Sequence, residues 1–150
     1  MKTQSLTMRQ IFTHMMENGY APSYEDNCIV FETDDDTSIL EYEDGVLTLR
    51  TFFTIDSDAY EMFLEASNGA MLKSYMVKAA VLEDKESIMF CSETFCQTFS
   101  DFRRFFPKLL QCARRGVVIH KSQMRELMAK RKPAVDEIFE AGVSRSKLLS

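Results

Sequence analysis

The sequence predicts an α+β fold, an antiparallel sheet with helices packed mainly on one of its faces. Three observations carry this. Residues 28–55, CIVFETDDDTSILEYEDGVLTLRTFFTI, hold three apolar runs separated by Asp34-Asp35-Asp36 and by Asp44-Gly45, the pattern of an antiparallel meander. Two more β-rich runs flank the polar connection Glu83-Asp84-Lys85-Glu86, which has ordinary hairpin length. Before, between and after these runs, apolar residues recur at three- and four-residue steps. The order that results is α-β-β-β-α-β-β-α with an extra C-terminal helix.

The first helix is predicted over residues 3–18, where Met8, Ile11, Phe12, Met15 and Met16 share one helical face. Thr3 or Ser5 is positioned to cap it, and Asn18-Gly19 followed by Pro22 stops it. Cys28–Phe31 is a short strand, the three aspartates turn the chain by mutual repulsion, and Ser38–Tyr42 is a second strand. Asp44-Gly45 suits a type I′ turn, since Asp tolerates positive φ and Gly adopts it freely. In the third strand, Val46–Ile55, alternation puts Leu47, Leu49, Phe53 and Ile55 on one side and Val46, Thr48, Arg50, Phe52 and Thr54 on the other.

A second helix begins at a cap supplied by Asp56, Ser57 or Asp58, presents Tyr60, Phe63 and Leu64, and ends at Asn68-Gly69. Tyr75–Leu82 and Ser87–Glu93 form the second hairpin. From Thr98 or Ser100 a third helix carries Phe99, Phe102, Phe105, Phe106, Leu109 and Leu110, with a kink or restart expected at Pro107 and an irregularity at Gly116. Helix then resumes with Val118 or Val117, Met124, Leu127 and Met128 inward. Pro133 separates a last short helix, Val135–Ala141, from a frayed tail. With no internal repeat or composition break, the 150 residues are expected to form a single domain, its core about 3–130 and its C-terminal helix and tail 131–150.

Composition narrows the function classes. There is no 18-residue apolar run and no apolar secretory segment after MKTQSLTMRQ, so a cytoplasmic protein with no membrane partner is expected. Cys28, Cys91, Cys96 and Cys112 lack zinc-site spacing and read as buried, reduced thiols. Asp34, Asp36 and Ser38 alternate like the first ligands of a calcium loop, but Ile39 and Gly45 stand where that loop needs Gly and Glu, so the segment reads as a solvated turn. No Gly-rich loop opens a helix, which excludes the usual phosphate cradle. His14 reads as the flank of an amphipathic helix and His120 as part of a polar helix surface. Neither has a local signature pairing it with a cysteine nucleophile. Thus no catalytic residue, metal ligand or cofactor is assigned.

Two surfaces remain as candidates. Ile39, Arg50, Phe52, Met76 and Met89 fall opposite the helix-covered residues of the sheet, mixed with Glu41 and Lys78. Such a half-apolar face suits a protein partner or a dimer, unless the C-terminal helices fold back over it. The second surface is basic. Residues 1–100 carry 18 acids against 6 bases, whereas residues 101–150 carry 5 against 12 within an overall net charge of −5. Arg114, Arg115, Lys121, Arg125, Lys130, Arg131 and Lys132 form its centre, either as a nucleic-acid surface or as a solvated helix complementing the acidic sheet.

The element order and the EYEDGVLTLRTFF hairpin resemble the type III secretion chaperone-like fold over roughly residues 3–130, and especially the bacterial sensory-transduction-regulator proteins that share it. That resemblance implies a small cytoplasmic protein, commonly dimeric, that binds other proteins through sheet or helix surfaces and has no established enzymatic reaction. The basic C-terminal extension and Pro107 depart from the simplest pattern. The expected function is therefore a non-enzymatic, chaperone-like or regulatory protein-binding homodimer. The alternatives are a nucleic-acid-associated regulator using the basic region and an unrecognised enzyme.

Overall fold

The protein is described by a computed structural model covering residues 5–33, 36–74 and 76–149, with side chains placed through Lys130 except at Ser57. Thr3, Asp34, Asp35 and Tyr75, which figure in the expected caps, turn and strand, lie outside the described residues, as do the side chains of Arg131 and Lys132. Three helices and six strands follow in the order α1 (Met8–Glu17), β1 (Ser23–Glu25), β2 (Cys28–Thr33), β3 (Asp36–Glu43), β4 (Val46–Thr54), α2 (Tyr60–Lys73), β5 (Lys78–Val81), β6 (Ser87–Phe95) and α3 (Phe99–Leu149). All neighbours in the sheet are antiparallel, in the spatial order β1-β2-β3-β4-β6-β5. The α+β class and its expected order hold, with one strand added at the edge.

That added strand, β1, pairs Ser23 with Val30 and Glu25 with Cys28. Asp26 and Asn27 both take positive φ, 47° and 66°, which gives the primed turn that a right-twisted hairpin needs. All three of its residues are exposed, so no apolar alternation marks it in the sequence. At the expected hairpin, Asp44 and Gly45 have φ of 51° and 76° and β3 pairs with β4 in the register Glu43↔Val46. The β5–β6 connection closes through the Leu82 amide and Ser87 carbonyl at 2.9 Å, while Asp84 accepts from the Glu86 and Ser87 amides.

Helix boundaries shift where local signals compete with packing. α1 starts at a capping box in which Gln10 N–H donates to Thr7 Oγ1 at 3.2 Å and Thr7 N–H to Gln10 Oε1 at 3.0 Å, so neither Thr3 nor Ser5 is its cap. Its stop is as expected: the Asn18 side-chain amide donates to the His14 carbonyl at 2.7 Å, and Gly19 has φ of 80°. Met16, assigned to the buried face, points out, whereas Ile11 and Met15 are buried. α2 enters from a single 3₁₀ turn, Ser57–Ala59, without a side-chain cap, because the Asp56 carboxylate accepts from the Asp58 amide instead. It then runs past Asn68-Gly69 to Lys73.

Glycines and prolines that read as stops have other roles. A Cβ on Gly69 would lie 2.9–3.3 Å from the Gln123 side chain, and one on Gly116 would lie 3.0 Å from Val77 and 3.1 Å from Phe90. Both residues let α3 approach closely, the first to α2 and the second to the sheet. α3 is one unbroken helix through Pro107, Gly116 and Pro133, with no restart. Its N-terminus is held by Thr98 and Asp101, since Asp101 N–H donates to Thr98 Oγ1 and the Gln97 and Thr98 amides donate to the Asp101 carboxylate. An interior proline costs a helix about 3 kcal/mol. On either side of Pro107, Phe106 and Leu109 are buried in the core, and each such side chain contributes about 1.5–3 kcal/mol. Packing therefore outweighs the break.

All three helices pack on one face of the sheet. A first cluster joins Ile11 and Met15 of α1 to Leu40, Leu47 and Leu49 of the sheet and to Phe102, Phe106 and Leu110 of α3. A second joins Ala70 of α2 and Val117 of α3 to Ile55, Val77, Ile88 and Phe90.

Candidate interaction surface

Strand register places every open-face residue. Side chains alternate along a strand, so paired residues form rows across the sheet. One row runs Ser23, Val30, Ile39, Arg50, Cys91 and Lys78. The next runs Glu32, Thr37, Phe52, Met89 and Ala80. On the other side of the first row lie Glu41, Thr48 and Glu93, and beyond them Glu43, Val46 and Phe95. Val30, Ile39, Phe52 and Met89 retain partial exposure and belong to neither core cluster. Among the described residues, the helices thus leave this face uncovered.

The face divides into an apolar half and a charged half. Val30, Ile39, Phe52, Met89 and Ala80 adjoin one another. Along the adjoining rows the Arg50 guanidinium pairs with the Glu41 carboxylate, and Lys78 Nζ lies 3.8 Å from Glu93 Oε1. Both pairs are partly solvated, so each stabilises the fold by at most about 1 kcal/mol and acts more as a charge pattern than as a clamp. Cys91, between Arg50 and Lys78 in the register, donates its S–H to Glu93 at 3.7 Å. Burial raises its thiol above the ordinary range, and the nearby Arg50 only partly opposes this.

Of the five residues expected on this surface, Ile39, Arg50, Phe52 and Met89 come together. Met76 stands apart in the short linker before β5, with positive φ of 56°. It lies at a sheet edge where one groove contacts Thr94, Phe105, Lys108 and Cys112 and another contacts Val46 and Phe95. Phe95, 78% exposed, and Val30 belong to the surface but were not singled out from sequence. The alternation Ser87, Met89, Cys91, Glu93, Phe95 carries the signal for the first, and CIVFET carries it for the second.

The basic residues spread around α3. At 3.6 residues per turn, Arg114, Lys121 and Arg125 share one stripe, whereas Arg115 and Lys130 point to other sides. Arg114 and Lys121 also line a cleft with Thr33, Asp36 and Thr51.

His120 corrects its expected place on a polar helix surface. Its ring is fully buried, edge-on to Phe53 and Phe90 and stacked at 5.9 Å on Phe63, and neither ring nitrogen has a hydrogen-bond partner. Burial pushes its pKa down to about 4, with Lys121 adding to the effect, and the pull of the Phe63 carbonyl falls short of offsetting it. His14 packs edge-on against Phe99 and Phe102 beside a shallow surface depression that includes Glu17. Burial, with Asp101 nearby, pushes the Cys96 thiol up to about 11, far from thiolate chemistry at neutral pH. The Cys96 carbonyl accepts from Tyr42 Oη at 2.7 Å, tying β3 to the start of α3. Among the described residues, no three His, Cys, Asp or Glu side chains converge as metal ligands, and no helix is long and apolar enough to cross a membrane.

No protein-family model matches the sequence, and no curated protein matches it. Among solved structures, the fold is similar to that of YbjN from E. coli, described provisionally as a transcription regulator. The TM-score is 0.64, covering 81% of this chain and 94% of the YbjN chain at 12% identity. The shared property is the fold. At that identity the likeness supports the resemblance stated above as a relation of architecture, and it carries no residue of YbjN over to this chain.

Proposed function

We propose that the chain is a non-enzymatic protein-binding domain, regulatory or chaperone-like, that acts as a homodimer through the open face of its sheet. The observation that carries this is the uncovered apolar half-face of Val30, Ile39, Phe52 and Met89, adjoined by the Arg50–Glu41 pair. An antiparallel sheet with one solvated side normally shows polar residues there, and this one shows apolar residues on four strands. Six strands of three to nine residues, at about 4.8 Å spacing and about 3.3 Å per residue, give a face on the order of 600 Å², the lower end of specific interfaces, whose standard size is about 800 Å² per partner. The fold shared with YbjN agrees with a regulatory role. A cytoplasmic setting belongs to the same reading.

Light scattering over a hundredfold concentration range tests the dimer. A dimer that Phe52→Glu converts to monomer supports the reading, and a monomer at all concentrations refutes the homodimer.

A second reading, a nucleic-acid-associated regulator, draws on the Arg114, Lys121 and Arg125 stripe. Filter binding to duplex DNA decides it. Three phosphate contacts predict a log–log salt slope of about −3, which Lys121→Glu would flatten. Affinity indifferent to salt refutes it.

A further inference from the structure

The sheet ends on its β5 side in an unfinished ladder. β4 follows β6 along its whole length, from Thr54↔Ser87 to Val46↔Phe95, whereas β5 accompanies it only from Val81↔Ile88 to Lys78↔Cys91. The bonds that flank these ladders fix which way each backbone group points. Ile55 N–H donates to the Glu86 carbonyl and Cys96 N–H to the Gly45 carbonyl, so the even-numbered residues of β6 bond to β4. Leu82 N–H donates to the Ser87 carbonyl, so the odd-numbered residues face the β5 side. Beyond Cys91 these are Glu93 and Phe95. Among the described residues no strand meets them there, and the Phe95 carbonyl takes only a 3.5 Å contact from Thr94 Oγ1.

A strained bend stops β5 short of them. Continued, its ladder would bring Val77 opposite Ser92 and Met76 opposite Glu93. Instead Met76 takes a φ of 56°, which a long side chain disfavours, and the buried Ser92 hydroxyl donates to the Met76 carbonyl and holds the bend. Met76 is left 61% exposed between two grooves. Thr94, Phe105, Leu109 and Cys112 wall the groove on the helix side, and Val46 and Phe95 wall the groove on the open side. Successive side chains of a strand point to opposite faces, so a strand laid along this edge would send one side chain into each groove. Its backbone would meet the N–H and C=O groups of Glu93 and Phe95, a repeat that an extended polypeptide matches.

We propose that the Glu93–Phe95 edge of β6 captures an extended, apolar segment of a partner protein as an added strand. Main-chain bonds to Glu93 and Phe95 hold the segment, and the two grooves beside Met76 select apolar side chains at alternate positions. Phe95 lies three rows from Phe52 across the open face, so this site stands whether or not the chain dimerises there. Tyr75, which precedes Met76, and residues 1–4, which lead toward the Leu6 amide bonded to the Gln97 carbonyl, lie outside the described residues. Exchange in the free chain reads whether either closes the edge.

The test is amide hydrogen exchange of the full chain, alone and with a blocked heptapeptide of alternating valine and threonine. In the free chain the Glu93 and Phe95 amides should exchange at least about tenfold faster than those of Ser92 and Thr94, which bond to β4. Millimolar peptide should slow the first pair about tenfold and leave the second pair unchanged. Peptides methylated on the valine nitrogens alone or on the threonine nitrogens alone should differ about tenfold in affinity, because only one of the two sets faces β6. Exposed Phe95→Glu should weaken binding about fivefold, Met76→Gly, which keeps the positive φ, should weaken it several-fold, and Phe52→Glu should leave it unchanged. Amides already protected in the dilute free chain mean that the chain closes its own edge, and protection that grows with protein concentration means that a second copy does. Either result, no slowing by the peptide, equal affinity of the two methylated peptides, or affinity indifferent to Phe95→Glu overturns the proposal.

Discussion

The two faces of β4 are built from the same nine residues and meet opposite surroundings. Leu47 and Leu49 are completely buried under α1 and α3, whereas Arg50 and Phe52, one or three residues further on, stay partly exposed on the far side. Both faces carry large apolar side chains, so hydrophobicity alone does not separate them. What separates them is supply. The chain's three helices all follow connections that bring them to one side, and nothing among the described residues is left to cover the other. An apolar residue therefore signals burial only where the topology provides a layer to bury it against.

Substitutions along that one strand break the comparison most directly. Leu49→Ala should cost about 2–5 kcal/mol through lost burial and the cavity left behind, read as a lowered denaturation midpoint at unchanged slope. Acidification should act next on the covered side. Because His120 titrates at about 4 in the fold against an ordinary 6.5, the unfolded chain takes up its proton first. Stability is then intact above pH 6.5, falls between about 6.5 and 4, and levels off below, a total of about 3 kcal/mol. Denaturation measured across that window should show the slope, and His120→Leu should remove it.

On the open face the effects on folding shrink while the effects on association grow. Phe52→Ala should change stability of the isolated chain by about 1 kcal/mol or less, yet shift the light-scattering mass toward monomer. A loss as large as that of Leu49→Ala would mean that the two faces are equally buried. The smallest effect belongs to the Arg50–Glu41 pair: Arg50→Met should alter stability by less than about 1 kcal/mol, with 1 M salt reproducing most of the change in the wild type.

Much of the sheet was legible because its signals are local. Asp44-Gly45 specified a turn, and the turn specified the register from Glu43↔Val46 outward. Four of the five residues expected on the open face, Ile39, Arg50, Phe52 and Met89, came together because they follow from alternation within single strands and from pairing between neighbours. Met76 did not join them, since its positive φ bends the chain before β5 begins. β1 escaped notice because its exposed residues carry no apolar signal and only Asp26-Asn27 marks its turn.

The helices were less legible for the opposite reason. Gly69, Pro107 and Gly116 read as interruptions on local grounds. In the fold, Gly69 and Gly116 make room for close approach, and Pro107 lies between Phe106 and Leu109, whose burial holds the helix together. His120 looked solvated among its polar neighbours, and only the convergence of Phe53, Phe63 and Phe90 from three other elements buries it. The open edge at Glu93 and Phe95 has no sequence signature, since it depends on where β5 stops along β6.

By itself, then, the sequence determined the α+β order, the turn at Asp44-Gly45 and which side chains of each strand share a face, because turn chemistry and a period of two act within a few residues. The tertiary structure alone decided that the final helix runs unbroken, that His120 is buried and that one face of the sheet stays open. Those outcomes depend on which surfaces distant segments bring together, and packing energies of several kcal/mol can override local preferences of about one to three.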